Sequence, residues 1–196
     1  MIYLNLIFED DLSEMVLTRL LSYFDTKYSV NVAYNGRGFG YLKTNIKGFN
    51  QASLITPHLM LTDLDNYPCL PSLINDWVTF QMNPNFIFRI AVREVESWLL
   101  ADIEGLSNFL LVASANFPLN PEHEPDPKKT LIQLVKKSRK RRIREDIVPV
   151  NANATIGPNY NGCLMEFVFN VWDVERAIPR SKSLEKAYYR LDKFVG

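Results

Sequence analysis

An α/β fold, with a mostly parallel sheet flanked by helices, is what this sequence predicts, on two observations. Short apolar runs of strand character alternate with helix-period segments through the first hundred residues, the pattern of a layered α/β domain. The run Ile2–Phe8 is largely apolar on both faces and Phe86–Val92 reads as another buried strand, as expected of strands covered by helices on both sides.

Each element follows in order. Ile2, Leu4, Leu6 and Phe8 alternate along a first strand. Ser13 reads as a cap, after which Met15, Val16, Leu20, Leu21 and Phe24 recur at helical spacing until near Tyr28. Val30, Val32 and Tyr34 mark a second strand over 28–34. Gly36 to Gly40 form a turn, since the segment lacks the spacing and the lysine-threonine ending of a P-loop. A weak helix around 50–54 precedes a strand at His58 to Asp63, a helix over 71–80, and the strand Phe86–Val92. A strong helix from about Glu94 to Ala101 turns Val95, Trp98 and Leu99 inward; Asp102 and Glu104 beyond it read as solvated. The stretch 120–127 (NPEHEPDP) is a stiff loop. Helices follow over 130–137, 160–171 and 181–194. Residues 1–105 form the α/β core on this reading, and 106–196 form a C-terminal helical lobe packed against it.

Composition narrows the function classes. Of 196 residues, 47% are hydrophobic and 22% charged, which is ordinary for a globular protein and excludes disordered and collagen-like chains. Two distant cysteines, Cys69 and Cys163, make no disulfide framework. No apolar run approaches the roughly 20 residues that span a bilayer, and acids at Glu9, Asp10 and Asp11 interrupt any leader. A reducing cytoplasm is the expected home, with no membrane partner. The formal charge is zero, yet nine bases fall between Lys128 and Arg144. Lys136, Lys137, Arg139, Lys140, Arg141, Arg142 and Arg144 are therefore candidate phosphate contacts, whose binding would weaken steeply with salt; a solvated charged face is the alternative meaning.

Three acids stand where strands should end: Glu9 after the first, Asp63 and Asp65 after the third. Ligands of open α/β sheets bind at the carboxyl ends of strands. Residues two apart in an extended chain face the same way, so Asp63 and Asp65 share a crevice if the strand geometry persists. Glu9 could complete an oxygen-only site suited to Mg²⁺, which would polarise a phosphoryl oxygen. A turn initiated by Asp63-Leu64-Asp65-Asn66 is the competing reading. Glu94 and Glu96 both reach the crevice if the chain is extended and diverge by about 200° if it is helical; an acid-rich helix start explains them equally well. His58 and His123 have no partner at metal spacing, and no Ser-His-Asp or Cys-His set is present.

The strand ending in Glu9, the stretch Leu61-Thr62-Asp63-Leu64-Asp65 and the segment Phe88 to Asp102, with REVESWLLAD its most specific part, together resemble an uncharacterised TOPRIM-like family. Asp126-Pro127-Lys128, Gly157-Pro158-Asn159-Tyr160-Asn161 and Ser181-Lys182-Ser183-Leu184 fit it as well, so the resemblance spans nearly the whole chain. It implies a TOPRIM-like fold related to that of OLD-type nucleases, with Glu9, Asp63 and Asp65 holding Mg²⁺ or Mn²⁺. Further acids and a lysine of OLD-type relatives would correspond to Glu94, Glu96 and Lys182, with Lys182 or Arg93 touching phosphate. Asp10 departs from the glycine usual after the first glutamate. The implied function is a metal-dependent nuclease, in a setting such as phage defence. The alternatives are a non-catalytic nucleic-acid- or protein-binding subunit working with a partner ATPase, and, less favoured, a phosphatase with Asp63 as nucleophile.

Overall fold

The computed structural model describes residues 1–151 and 153–196, with Asp25 described by its backbone alone. Four strands, β1 (Ile2–Phe8), β2 (Tyr28–Asn35), β3 (His58–Asp63) and β4 (Phe86–Ala91), form one sheet in the order β2-β1-β3-β4. Every pairing is parallel. The expected α/β layout with a helical lobe is thus the observed one. Its helices are α1 (Asp11–Leu21), α2 (Phe39–Ala52), α3 (Leu70–Trp77), α4 (Val95–Ala101), α5 (Ile103–Leu110), α6 (Pro127–Lys136), α7 (Arg141–Ile147), α8 (Tyr160–Asn170), α9 (Val174–Ala177) and α10 (Lys182–Asp192).

The alternation read in β1 sorts its residues between two cores. Leu4, Leu6 and Phe8 join Leu59, Leu61 and Ile87 against α1, α4, α8 and α10. Ile7 joins Met60, Phe86, Phe88 and Ile90 against α2 and α3. The first cluster continues without a break from the sheet into Leu131, Phe167, Trp172 and Leu184 of the second half. The lobe therefore shares the core of the sheet. Trp77, Trp98 and Trp172 are all buried.

Several local expectations are corrected. Asp10, not Ser13, caps α1: its carboxylate accepts the Ser13 N–H at 2.8 Å, one of the donors a helix start leaves orphaned. Helix α2 begins at Phe39 and runs to Ala52, much longer than the weak helix expected near its end. Gly38, at φ 119°, supplies the left-handed entry that a side chain would resist, and Leu42 and Ile46 then bury one stripe. Strand β2 lies at the sheet edge, so its alternating Val30, Val32 and Tyr34 remain partly exposed. Asp102, expected in solvent, is fully buried. It caps α5 through Gly105 N–H and holds the Arg176 guanidinium at 2.8 and 2.9 Å. Helices α5, α7 and the short α9 have no counterpart in the sequence reading.

Candidate metal and phosphate site at the strand ends

The carboxyl ends of β1, β3 and β4 meet at one edge of the sheet, and acids gather there. Glu9, one residue beyond β1, turns toward β3: its Oε1 accepts from Thr62 Oγ1 and, at 3.2 Å, from the Asp63 N–H. Glu9 therefore faces the aspartate pair. Asp63 closes β3 and reaches beyond the end of β4 to α4, where its Oδ1 accepts the Val95 N–H at 2.9 Å. The extended geometry does not continue to Asp65, which adopts φ 48°, a left-handed conformation that aspartate tolerates better than most residues. The backbone stays tied to β4 through Leu64 N–H to Ala91 C=O and Asp65 N–H to Arg93 C=O, both 2.9 Å. Leu64 is buried beside Ile7 and Met60. Asp65 thus stays at the crevice although the strand has ended.

Glu94 and Glu96 are both brought to the same place, by a mixture of the two geometries weighed for them. Glu94 is still extended, as the residue preceding α4, and Glu96 lies in the first turn of the helix. The difference is absorbed by Lys128, at the start of α6. Its Nζ stands 3.6 Å from Glu96 Oε1 and 3.9 Å from Glu94 Oε1, and its N–H donates to Glu94 Oε2 at 3.0 Å. Glu96 is only 2% exposed. Its Oε1 accepts from the Tyr160 hydroxyl at 2.9 Å, whereas its Oε2 is buried without a partner.

The electrostatics follow from this crowding. Burial, then repulsion from Glu96, Glu9, Asp65 and Glu94, raises the Asp63 carboxyl well above the ordinary aspartate range. Burial likewise raises Glu9, against the pull of its bonds to Thr62 and Asp63, and raises Asp65, Glu94 and Glu96 despite Lys128. Burial works against the Lys128 ammonium, but Glu96, Glu94 and Asp63 raise its pKa overall and keep it charged. Five carboxyl groups thus cluster about Asp63 with one lysine on the Glu94 and Glu96 side, and the deficit of positive charge is the site's main physical feature.

Other expectations fare differently. Lys182 is exposed and pairs with Glu185 at 2.9 Å; the lysine among the acids is Lys128. The guanidinium of Arg93 is engaged by the carbonyls of Asp65 and Tyr67, at 3.2 and 2.7 Å, so it braces the loop after β3. The basic run is partly neutralised: Arg141 pairs with Glu145, and Arg142 with Asp146 and Glu166. Arg144 bonds the Ser138 carbonyl, Lys137 the Asn116 amide oxygen, and Lys140 lies over the Phe109 ring. Lys136 and Arg139 make no ion pair among the described residues. The glycine turn borders the site, with Arg37 and Gly38 lining a depression beside Glu9, Asp10 and Asn161. His58 is buried and bonded to Thr56 and Asn5, away from the acids.

Three members of the site, Thr62, Lys128 and Tyr160, have no role in the sequence reading, although each lies in a segment that carries the family resemblance; that coincidence is the signal that could have found them.

A model of a family described as a domain of unknown function (DUF4276) matches residues 12–148. The chain belongs to that family. The matched span carries Asp63, Asp65, Glu94, Glu96 and Lys128; Glu9 and Tyr160 lie outside it. No curated protein and no solved structure matches this DUF4276 chain.

The donor chemistry fits a hard divalent cation. All the candidate ligands are oxygens, an orphaned carboxylate oxygen of Glu96 is buried among them, and their negative charge is largely uncompensated. Glu9 Oε2, Asp63 Oδ2 and both Asp65 side-chain oxygens accept no hydrogen bond among the described residues. Among those residues no three of the Asp, Glu, His or Cys side chains form a ready-made ligand cage. Mg²⁺ does not need one, since it is commonly bound by one or two carboxylates and keeps several waters.

Proposed function

We propose that this chain is a metal-dependent phosphodiesterase of TOPRIM-like type acting on nucleic acid. The observation that carries the reading is the convergence of Glu9, Asp65, Glu94 and Glu96 on Asp63 at the carboxyl ends of three parallel strands, with Lys128 paired to Glu94 and Glu96. Glu9, Asp63 and Asp65 would hold the cation, one or two of them directly and the rest through its waters, with Glu96 Oε2 available to it or to a second ion. A bound Mg²⁺ or Mn²⁺ supplies Lewis-acid chemistry toward a phosphoryl oxygen and toward water.

The chain's own residues do the rest. Thr62 and the Asp63 N–H fix one oxygen of Glu9 and leave the other free. The Val95 N–H does the same for Asp63. Tyr160 holds Glu96 in place. The Lys128 ammonium, kept protonated by its neighbours, takes the phosphate-contacting role that the sequence had suggested for Lys182. No side-chain nucleophile is required.

A second reading, a non-catalytic binding subunit associated with an ATPase, draws support from the Lys128 ion pairs, which satisfy part of the acidic charge without any metal. A setting in phage defence fits either reading. Incubation with single-stranded and plasmid DNA in Mg²⁺ or Mn²⁺ against EDTA separates them. Cleavage that needs metal and falls at least 100-fold in Asp63→Asn and Lys128→Met supports the nuclease; binding without cleavage supports the subunit.

A further inference from the structure

A cleft of about 540 Å³ opens beside the carboxylates, between α6 and the segment after α7. Lys128 forms part of its wall while its ammonium touches Glu94 and Glu96, so the cleft and the acidic site share one side chain. Farther out, Lys129 and Lys136 lie on the same lining. They are seven residues apart on a continuous helix, about 10.5 Å along its axis. Neither is ion-paired among the described residues, so both charges are free for an incoming anion. Ile132, which falls between the two lysines on α6, gives the lining an apolar part together with Val148 and Pro149, and Thr155 also lines the cleft. Asp126 also lines the cleft, where its Oδ1 caps the Lys129 N–H at 2.7 Å and its negative charge leaves Lys129 and Lys136 to supply the attraction for phosphate.

Cations spaced along an apolar trough match a polymer that alternates phosphates with flat, weakly polar rings. We infer that this cleft binds an unpaired nucleotide segment, one base lying on Ile132, Val148 and Pro149 and the flanking phosphates meeting Lys129 and Lys136. A duplex shows its phosphates and the edges of its bases in the grooves but keeps the base faces stacked, so no base of a duplex can lie flat on this surface; a base face reaches the cleft only from a single strand or after being flipped out. The preferred substrate of the proposed nuclease is therefore single-stranded nucleic acid, or a duplex with a frayed or gapped end. The inference rests on the reading above for its biological sense, though not for its test.

The test is binding by fluorescence anisotropy in EDTA, where no cleavage occurs, using one labelled 12-nucleotide strand alone and annealed to its complement. The cleft predicts at least 10-fold tighter binding of the single strand. The exposed double variant Lys129→Glu/Lys136→Glu loses at least 10-fold for the single strand. If each lysine neutralises one phosphate, Lys129→Ala/Lys136→Ala lowers the salt slope of log K by about 1.4. Thr155→Trp, which fills the cleft from an exposed position, weakens single-strand binding and leaves duplex binding unchanged. Lys186→Glu, a charge-matched control on α10, changes neither. Equal affinity for the two forms, or a Thr155→Trp protein that binds like wild type, overturns the inference. Metal-dependent cleavage without strand preference would discard the cleft and keep the nuclease; strand-selective binding without cleavage would do the reverse.

Discussion

Replacing Asp63 with asparagine should make the metal-free protein more stable. The Val95 N–H is accepted at 2.9 Å by Asp63 Oδ1, and an amide oxygen can accept it as well, so the fold loses no bond. What disappears is a buried charge facing Glu96, Glu9, Asp65 and Glu94. Two unit charges about 6 Å apart at an effective dielectric near 20 interact by roughly 3 kcal/mol. Lys128 offsets about one such repulsion, and partial protonation of the cluster removes more. A net gain of about 1–3 kcal/mol at neutral pH remains, which is roughly 2–12 °C in Tm for a chain of this size. The sign depends on pH. Because the carboxyls of the cluster are raised in the folded state, the folded protein binds more protons than the unfolded one, and wild-type stability falls as pH rises from the ordinary carboxylate range through the raised values. The advantage of Asp63→Asn should therefore be absent near pH 4 and grow toward pH 8. Thermal melts in EDTA across that range provide the assay. A variant less stable than wild type at pH 8, or a gain independent of pH, would refute the electrostatic account.

Further outcomes follow from the same contacts. Arg176→Ala leaves Asp102 buried without its partner and should cost about 3–5 kcal/mol, read as a lower urea midpoint with an unchanged m-value. Lys128→Met should abolish any metal-dependent cleavage while Lys182→Ala, which only frees Glu185, leaves it intact; a DNA cleavage time course distinguishes them. Thr62→Val removes the hydroxyl donor to Glu9, costing about 1 kcal/mol and weakening Mg²⁺ affinity. At a Mg²⁺ concentration 100 times its Kd, wild type should gain about 2.7 kcal/mol, and Asp63→Asn much less, in a thermal-shift titration at pH 8.

The strands β1, β3 and β4 were legible because burial on two faces writes itself as an apolar run, and β3 was read to the residue; β2, mostly exposed at the sheet edge, was legible only from the alternation of Val30, Val32 and Tyr34. The acids at strand ends were legible for a related reason: a parallel sheet directs the ends of its strands to one edge, so Glu9 and Asp63 converge whatever fills the loops. The helix α2 was hidden by Gly40, Gly48 and its polar surface; only the packing of Leu42 and Ile46 on the sheet reveals it. Asp102 read as solvated because its partner, Arg176, is 74 residues away. Lys128 was hidden by its own neighbourhood, one base among nine in sequence yet the one that folding carries to Glu94 and Glu96. Lys182, placed by order along the chain, could not be checked against a distance.

Calorimetric titration of Mn²⁺ into the metal-free protein at pH 7.5, repeated in buffers of different ionisation enthalpy, probes the cluster most directly. Burial and mutual repulsion raise the proton affinity of these carboxyls, and a cation displaces the protons they hold, so the account predicts saturable binding with net proton release, both lost in Asp63→Asn. Absence of binding, or binding that survives in Asp63→Asn with no proton exchanged, would contradict it.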